Sequence, residues 1–171
     1  MKHAAYAIGR KPVIDWVEAT DLEDSTKDAD PAKYQSAWDR LYAADGILVP
    51  GGFGDRGIEG MVKAASFARV EKKPYLGICL GLQVAVISYA RWARGRRARR
   101  RDVCEWEDAN SQEFSKTTTH PVVISMPEHD VEQKGGTMRL GERISVFKDS
   151  ADDSIMFRLY GRKKRGRGGR G

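Results

Sequence analysis

The residue with the clearest chemical potential in this sequence is Cys79, which lies at the centre of the pentapeptide GICLG, residues 77–81. A short apolar run that follows Pro74 precedes it, and a longer apolar run follows it, as expected for a buried strand and a buried helix. This order predicts a nucleophile elbow, a sharp strand-to-helix turn that exposes a reactive side chain. A helix N-terminus favours the thiolate and directs amide N–H groups at a developing oxyanion, so the chemistry indicated is acyl transfer through cysteine.

A second candidate feature is the loop GGFG at residues 51–54, which follows the strand-like run 44–50. Consecutive glycines at the end of a strand can present backbone N–H groups to an anion or a tetrahedral intermediate. Both features also have a plainer interpretation. A free cysteine is often a small buried core residue, and a Gly-Gly pair is often only a turn.

The elements that would position these residues alternate between strands and helices. We predict helices over residues 2–9, 31–43, 57–70, 80–90 and 152–160, strands over 12–19, 46–49, 73–78, 121–126 and 143–147, and a polar loop over 21–31. The buried face of the second helix is predicted to contain Tyr34, Ala37, Trp38 and Leu41. The alternation indicates an α/β fold with a mostly parallel central sheet, helices on both faces, and the site at the carboxyl ends of the strands. We expect the strands after residue 120 to form an antiparallel addition.

Two later segments extend the pattern around Cys79. Residues 108–114 read DANSQEF, and residues 126–141 begin with MPEH and end with GGTMRLG. Together with PGGFGDRGIEG at 50–60 and PYLGICLGLQ at 74–83, they resemble the class I (triad) glutamine amidotransferases and, within them, the amidotransferase domain of the CTP synthase family. The resemblance extends to Gly161 and implies the class I amidotransferase fold, truncated at both ends.

The resemblance implies a role for each matching residue. Cys79 would attack the side-chain amide of L-glutamine, form a thioester and release ammonia, while the amides of Gly52 and Leu80 would form the oxyanion hole. The glutamine pocket would be lined by Phe53, Gln83, Glu113 and Arg139. A carboxylate suits the α-ammonium of the substrate, and an arginine suits its α-carboxylate through forked hydrogen bonds.

The sequence departs from the family in its histidines. The family's base belongs to a His-x-Glu pair, and no such pair occurs in these 171 residues. Since loss of a triad base costs several orders of magnitude in rate, we expect the chain alone to be a poor glutaminase. The resemblance places ATP and Mg²⁺ in a separate synthetase domain that aminates UTP to CTP, and it implies a homo-oligomeric complete enzyme. Because the first strand of the family's domain is missing, we expect marginal stability or a partner that supplies it.

Arginine is concentrated in two tracts, residues 91–101 with seven arginines and residues 162–171 with six lysines or arginines. These tracts carry thirteen positive charges, so the remainder of a chain whose formal charge is +6 carries −7. We predict a partial amidotransferase domain over 1–161, interrupted by an Arg-rich insert at 91–107, and a disordered basic tail over 162–171.

Three interpretations of the tracts remain open: binding to nucleic-acid phosphates, solvated loops, and an altered reading frame. Two alternative functions remain open. One is a catalytically dead partner that binds glutamine or oligomerises, which a pocket without its base allows, and the other is a nucleic-acid-binding protein that uses the arginine tracts.

Composition sets further limits. A chain of 171 residues with 40% hydrophobic content can bury one sizeable core, which predicts one domain. Its two cysteines do not suggest a disulfide framework, and no spacing of Cys, His or carboxylates is typical of a metal site. No apolar run has the length of a membrane span and no signal peptide is evident, so we expect a cytoplasmic protein.

Overall fold

The computed structural model of this chain describes residues 1–91, 106–124, 144–161 and 165–167. Its contacts divide the chain into two compact units, Met1–Met126 and Pro127–Gly171. Strands and helices alternate in the first unit, so the predicted α/β class is confirmed. Residues 92–105 and 125–143, which include most of the Arg-rich insert and the MPEH…GGTMRLG segment, lie outside the described residues.

The elements of each unit follow the chain. In the first unit the helices are α1 (Lys2–Ala7), α2 (Asp24–Ala29), α3 (Pro31–Ala43), α4 (Ile58–Val70) and α5 (Leu80–Arg91), with a 3₁₀ helix at Ala19–Leu22. Its strands are β1 (Ile47–Val49), β2 (Tyr75–Gly77), β3 (Asn110–Ser111) and β4 (Pro121–Val123). The second unit contains β5 (Ile144–Val146), a 3₁₀ helix (Asp149–Ala151), α6 (Ile155–Leu159) and β6 (Arg165–Arg167). Within the described residues, no helix is both long enough and apolar enough to span a membrane.

Strand pairing brings the two candidate loops to one edge. Strands β1 and β2 are parallel, with Ile47 opposite Tyr75 and Val49 opposite Gly77. The amide of Ile78 donates to the carbonyl of Val49 at 3.0 Å and extends this ladder by one step. Because the two strands run in the same direction, the loops that follow them leave the sheet at the same edge. Strands β3 and β4 also pair in parallel, whereas β5 and β6 are antiparallel.

Two buried clusters stabilise the first unit. One joins β1, α4 and α5, and its members Val84 and Ile87 are 0% exposed. The other joins the first 3₁₀ helix, α3 and α4, and consists of Leu22, Ala37, Leu41, Ala64 and Phe67. The predicted inner face of α3 is confirmed at its two buried positions, Ala37 and Leu41. Each fully buried aliphatic side chain contributes about 1.5–3 kcal/mol, so these clusters hold the helices against β1.

The prediction of a strand over residues 12–19 is wrong. This segment pairs with no strand among the described residues, and Val13 and Trp16 are 93% and 79% exposed. An extended chain becomes a strand only where a neighbouring strand supplies ladder hydrogen bonds. Here the segment is held by Arg40 instead, whose guanidinium pairs with the Asp15 carboxylate and also donates to the Trp16 carbonyl.

Other sequence predictions need smaller corrections. The polar loop at 21–31 contains α2, where the carbonyl of Glu23 accepts from Thr26 and Lys27 and opens the helix. The sequence predicts strand β4 in an antiparallel addition, but the strand pairs in parallel with β3, which is too short to be recognised by alternation. Within the basic tail, residues 165–167 pair with β5 through the backbone, which does not depend on side-chain charge. Disorder of the tail over 162–171 stays a prediction.

Candidate functional site

Cys79 lies at the turn between β2 and α5 with an exposed side chain, as the sequence predicts. Its φ angle is 54°, in the left-handed region that residues with a Cβ rarely occupy. Its carbonyl accepts from the amides of Leu82 at 3.0 Å and Gln83 at 3.1 Å, which closes the first turn of α5 around it. The structure therefore confirms the elbow geometry, a strained turn from which the side chain of its central residue is exposed.

The two glycines of the elbow are required by close approach of the backbone. A Cβ on Gly81 would collide with the carbonyl oxygen of Val49 at the end of β1. A Cβ on Gly77 would collide with the carbonyl oxygen of Gly81 itself. Glycine at both positions lets the turn pass directly over the end of β1, so Cys79 reaches the edge where the GGFG loop begins.

The GGFG loop lies beside the elbow. A Cβ built on Gly51 would be 3.3 Å from the Cys79 Cβ and 3.9 Å from its Sγ, and one built on Gly52 would be 3.3 Å from Cδ2 of Leu80. Leu80 is the first residue of α5, where backbone amides have no partner within the helix. The two amides for which an oxyanion-hole role is predicted, those of Gly52 and Leu80, thus belong to neighbouring backbones at the same edge.

Tyr75 of β2 stabilises the elbow from below. Its hydroxyl donates to the carbonyl of Gly81 at 2.8 Å, and burial raises the pKa of Tyr75 to about 12. The phenol therefore remains a neutral donor throughout the physiological range. Sequence reasoning missed the role of this residue. The available signal was its position, two residues before the first glycine of the elbow.

The predicted pocket residues have different surroundings. Gln83 lies one turn into α5, and its Oε1 is buried without a hydrogen-bond partner among the described residues. Phe53 is 78% exposed, and Glu113 is exposed as well. Arg139 lies outside the described residues, so its predicted role stays a prediction. A buried acceptor without a hydrogen-bond donor costs free energy, and a ligand that supplies the donor removes that cost. Among the predicted pocket residues, Gln83 therefore has the clearest need for a donor from a ligand.

Glu113 lies in a turn with a well-defined scaffold. Ser111, which is 2% exposed, accepts from the amide of Glu113 through its Oγ at 3.2 Å. The amide of Gln112 donates to the carbonyl of Val123 in β4 at 2.9 Å. The next residue, Phe114, packs against the cluster that contains Val84. The backbone that carries the Glu113 carboxylate is therefore fixed on both sides of that residue.

The start of the same segment is anchored by Asp108. Its carboxylate accepts from the Thr119 hydroxyl at 2.6 Å and the Thr119 amide at 2.8 Å, and it lies 2.6 Å from Nδ1 of His120. These bonds, above all the Thr119 hydroxyl, hold the pKa of Asp108 well below its usual range. The His120 ring also stacks on Trp106 at 4.7 Å. His120 therefore has a structural role in this segment.

Arg91, assigned from the sequence to the Arg-rich tract, is integrated into the fold. Its Nε donates to the carbonyl of Ala109 at 2.6 Å, and its Nη1 donates to both carboxylate oxygens of Glu59 at 2.9 and 2.7 Å. Arg91 is therefore held at the end of α5 by acceptors from two other segments. The available signal was the position of Arg91 at the end of an apolar helix, where a cation complements the helix dipole.

Within the described residues, no group of three or more His, Cys, Asp or Glu side chains is arranged to hold a metal ion. A left-handed cysteine at a strand-to-helix turn, with a glycine loop beside it, has the geometry of a nucleophile elbow. The family model for glutamine amidotransferase class-I matches residues 1–162, and this chain belongs to that family.

The curated relatives that this chain resembles are CTP synthases. It is 47% identical over 161 residues to CTP synthase 1 of Homo sapiens, covering 94% of this chain and 25% of the relative. It is 52% identical over 161 residues to the CTP synthase of Dictyostelium discoideum, covering 94% of this chain and 26% of the relative. The chain thus spans about a quarter of the length of the curated relatives it matches.

A solved structure supports the same relationship. The chain matches the glutaminase domain of Trypanosoma brucei CTPS, determined with bound acivicin, at a TM-score of 0.74 and 34% identity. The match covers 96% of this chain and 55% of that chain. At this identity the likeness concerns both the fold and the family.

Proposed function

We propose that this chain is the nucleophile-bearing part of a CTP-synthase-type glutaminase. The observation that carries the proposal is the left-handed Cys79 with the Gly51-Gly52 backbone beside it. Sγ of Cys79 attacks the side-chain carbonyl carbon of L-glutamine, and the amides of Gly52 and Leu80 stabilise the oxyanion. The carbon–nitrogen bond then breaks, ammonia leaves with an added proton, and water hydrolyses the thioester to glutamate and the free thiol.

Substrate recognition is assigned to the pocket residues. The buried Oε1 of Gln83 would accept a hydrogen bond from bound glutamine, which would satisfy an acceptor that otherwise lacks a donor. The Glu113 carboxylate would pair with the α-ammonium, and Arg139 would bind the α-carboxylate. Phe53 would cover the substrate, since its side chain is exposed next to Gly52.

The proton acceptor is not assigned to a described residue. The family uses a His-x-Glu pair, which does not occur in these 171 residues, and His120 is bonded to Asp108. We therefore expect slow turnover of glutamine by this chain alone. Reaction of Cys79 with an electrophilic glutamine analogue is the more informative measurement, because it needs only the thiolate and the pocket.

For the whole protein, we propose that the released ammonia passes to a synthetase domain. That domain would use ATP with Mg²⁺ to aminate UTP to CTP, in a cytoplasmic homo-oligomer. This proposal is supported by the two relatives described above, which are both CTP synthases.

The test is covalent labelling of the full chain with the chloroketone analogue of glutamine, followed by mass spectrometry of each cysteine. We expect Cys79 to react much faster with the L than with the D enantiomer, and L-glutamine to slow the reaction. Cys104, the second cysteine of the chain, is an internal control that should react equally with both enantiomers. Equal rates for the two enantiomers at Cys79 would overturn the proposal.

A further inference from the structure

The segment that carries Glu113 is tied to the end of α5. The amide of Trp106 donates to the carbonyl of Ala90 at 3.2 Å, and Nε of Arg91 donates to the carbonyl of Ala109 at 2.6 Å. Ala109 is 0% exposed, so its carbonyl depends on a protein donor. Since β3 and the Glu113 turn follow directly, the position of Ala109 sets where this turn begins.

Arg91 also connects that segment to α4. Its side chain is 20% exposed, and its Nη1 donates to both oxygens of Glu59, which is 55% exposed in the first turn of α4. One planar guanidinium therefore holds a main-chain carbonyl and a carboxylate in a fixed relation. A lysine has a single nitrogen and cannot reproduce this fork, and a methionine would leave the carbonyl of the buried Ala109 without its side-chain donor.

A short series of contacts connects Arg91 to the backbone of Glu113. Ala109 is followed by Asn110 and the buried Ser111, whose Oγ accepts from the Glu113 amide at 3.2 Å. Phe114 then packs against the cluster that includes Ile87 of α5. The guanidinium is thus linked to the Glu113 backbone by hydrogen bonds, by the short main-chain stretch from Ala109 to Ser111, and by the packing of Phe114.

We propose that Arg91 is a positioning residue for glutamine recognition. By fixing the Ala109 carbonyl relative to Glu59, it holds the Glu113 carboxylate where it meets the α-ammonium of the substrate. The inference rests on the function proposed above. Unlike the arginines that follow it in the tract, Arg91 therefore contributes to recognition of an amino acid, and it does so through Glu113.

The experiment compares three reagents on Cys79 of the full chain: the L-glutamine chloroketone, its counterpart without the α-amino group, and iodoacetamide. We expect Arg91→Met to slow the reaction with the ammonium-bearing reagent by about tenfold, the effect of weakening one charge-assisted hydrogen bond. The rates with the other two reagents should stay at the wild-type values. Glu113→Gln should give the same pattern, and Arg91→Lys should fall between Arg91→Met and wild type.

The outcomes separate the two proposals. An equal loss with all three reagents in Arg91→Met would mean a merely structural role and would overturn the inference. The ammonium-dependent loss in Glu113→Gln but not in Arg91→Met would overturn the inference and leave the proposed function intact. A wild-type chain without preference for the ammonium-bearing reagent would overturn the proposed function first. If Arg91→Met shows no cooperative melting, Glu59→Gln replaces it. We then expect a smaller loss of rate that is again confined to the ammonium-bearing reagent. The absence of that loss would contradict the inference.

Discussion

Cys79 combines a left-handed backbone, which opposes stability, with an exposed side chain, which adds no burial to offset it. A left-handed conformation costs a residue with a Cβ roughly 1–2 kcal/mol. Such strain persists only where neighbouring contacts fix the conformation. Here these contacts are the packing of Leu80 and Val84 in the core and the close approach of Gly81 to the carbonyl of Val49. The strain is therefore a property of the Cys79 position in the turn and is offset by the core next to it.

Replacing Cys79 tests this strain directly. We expect Cys79→Gly to be more stable than Cys79→Ala by about 1 kcal/mol, because glycine adopts positive φ without steric cost. Neither change leaves a cavity, since the cysteine side chain is exposed. The free energies of unfolding from urea titrations give the comparison. An alanine variant as stable as the glycine variant would contradict the strain.

The same comparison at Lys72 is a matched control. Lys72 has a φ of 56° after the end of α4, and its amide and that of Lys73 donate to the carbonyls of Arg69 and Ala68. This is the Schellman arrangement of a helix terminus, in which glycine is preferred. Lys72→Gly should therefore also stabilise the chain, but it should leave the labelling rate of Cys79 unchanged.

The segment from Trp106 to His120 shows how one carboxylate organises an irregular element. Asp108 accepts from Thr119 twice and pairs with His120, so residues far apart in this segment are held together around it. Because the folded-state pKa of Asp108 lies below its usual range, the carboxylate stabilises the fold above the unfolded-state pKa. This contribution is lost as the pH falls below about 4, where the unfolded chain takes up the proton.

Acid unfolding is the corresponding measurement. We expect the melting temperature of the wild type to fall more steeply than that of Asp108→Asn between roughly pH 5 and pH 3. This interval brackets the ordinary carboxyl pKa, where the unfolded chain takes up the proton. Thr119→Val removes the largest cause of the lowered pKa and should give an intermediate slope. Parallel curves for wild type and Asp108→Asn, recorded by circular dichroism, would contradict this assignment.

At the scale of the first unit, one cluster connects elements that are distant in sequence. Ile87, which is 0% exposed, belongs to the cluster that joins β1, α4 and α5, and the partly buried Val122 and Val123 of β4 pack against it. Both parallel strand pairs of this unit therefore share one apolar core. Loss of volume at its centre should affect them together.

The test is Ile87→Ala, with Leu82→Ala as control on the same helix, where Leu82 is 59% exposed. We expect Ile87→Ala to lower the free energy of unfolding by about 2–5 kcal/mol through lost burial and a residual cavity. Hydrogen exchange should accelerate in α4 and in β4 alike. Leu82→Ala should change both measurements little, and exchange that accelerates in α4 alone would contradict a shared core.

Local patterns along the chain were sufficient for the elbow, the GGFG loop and the main helices. Residues 73–90 specify a strand, a glycine-flanked turn and an apolar helix by periodicity and by glycine positions, which act over a few residues. The parallel order of β1 and β2 followed from their alternation with helices. For the same reason the site could be placed at the carboxyl ends of these strands.

Tertiary structure decided the features that depend on distant partners. Residues 12–19 have the composition of a strand but lack a strand to pair with among the described residues, which no local pattern reveals. Arg91 has the appearance of the first residue of an arginine tract, yet it is fixed by Glu59, 32 positions earlier, and by Ala109, 18 positions later. A side chain acquires such a role only when the packing of α4 and α5 brings the acceptors within reach, because the specificity of an ion pair or a ladder hydrogen bond resides in its geometry and not in the residue type.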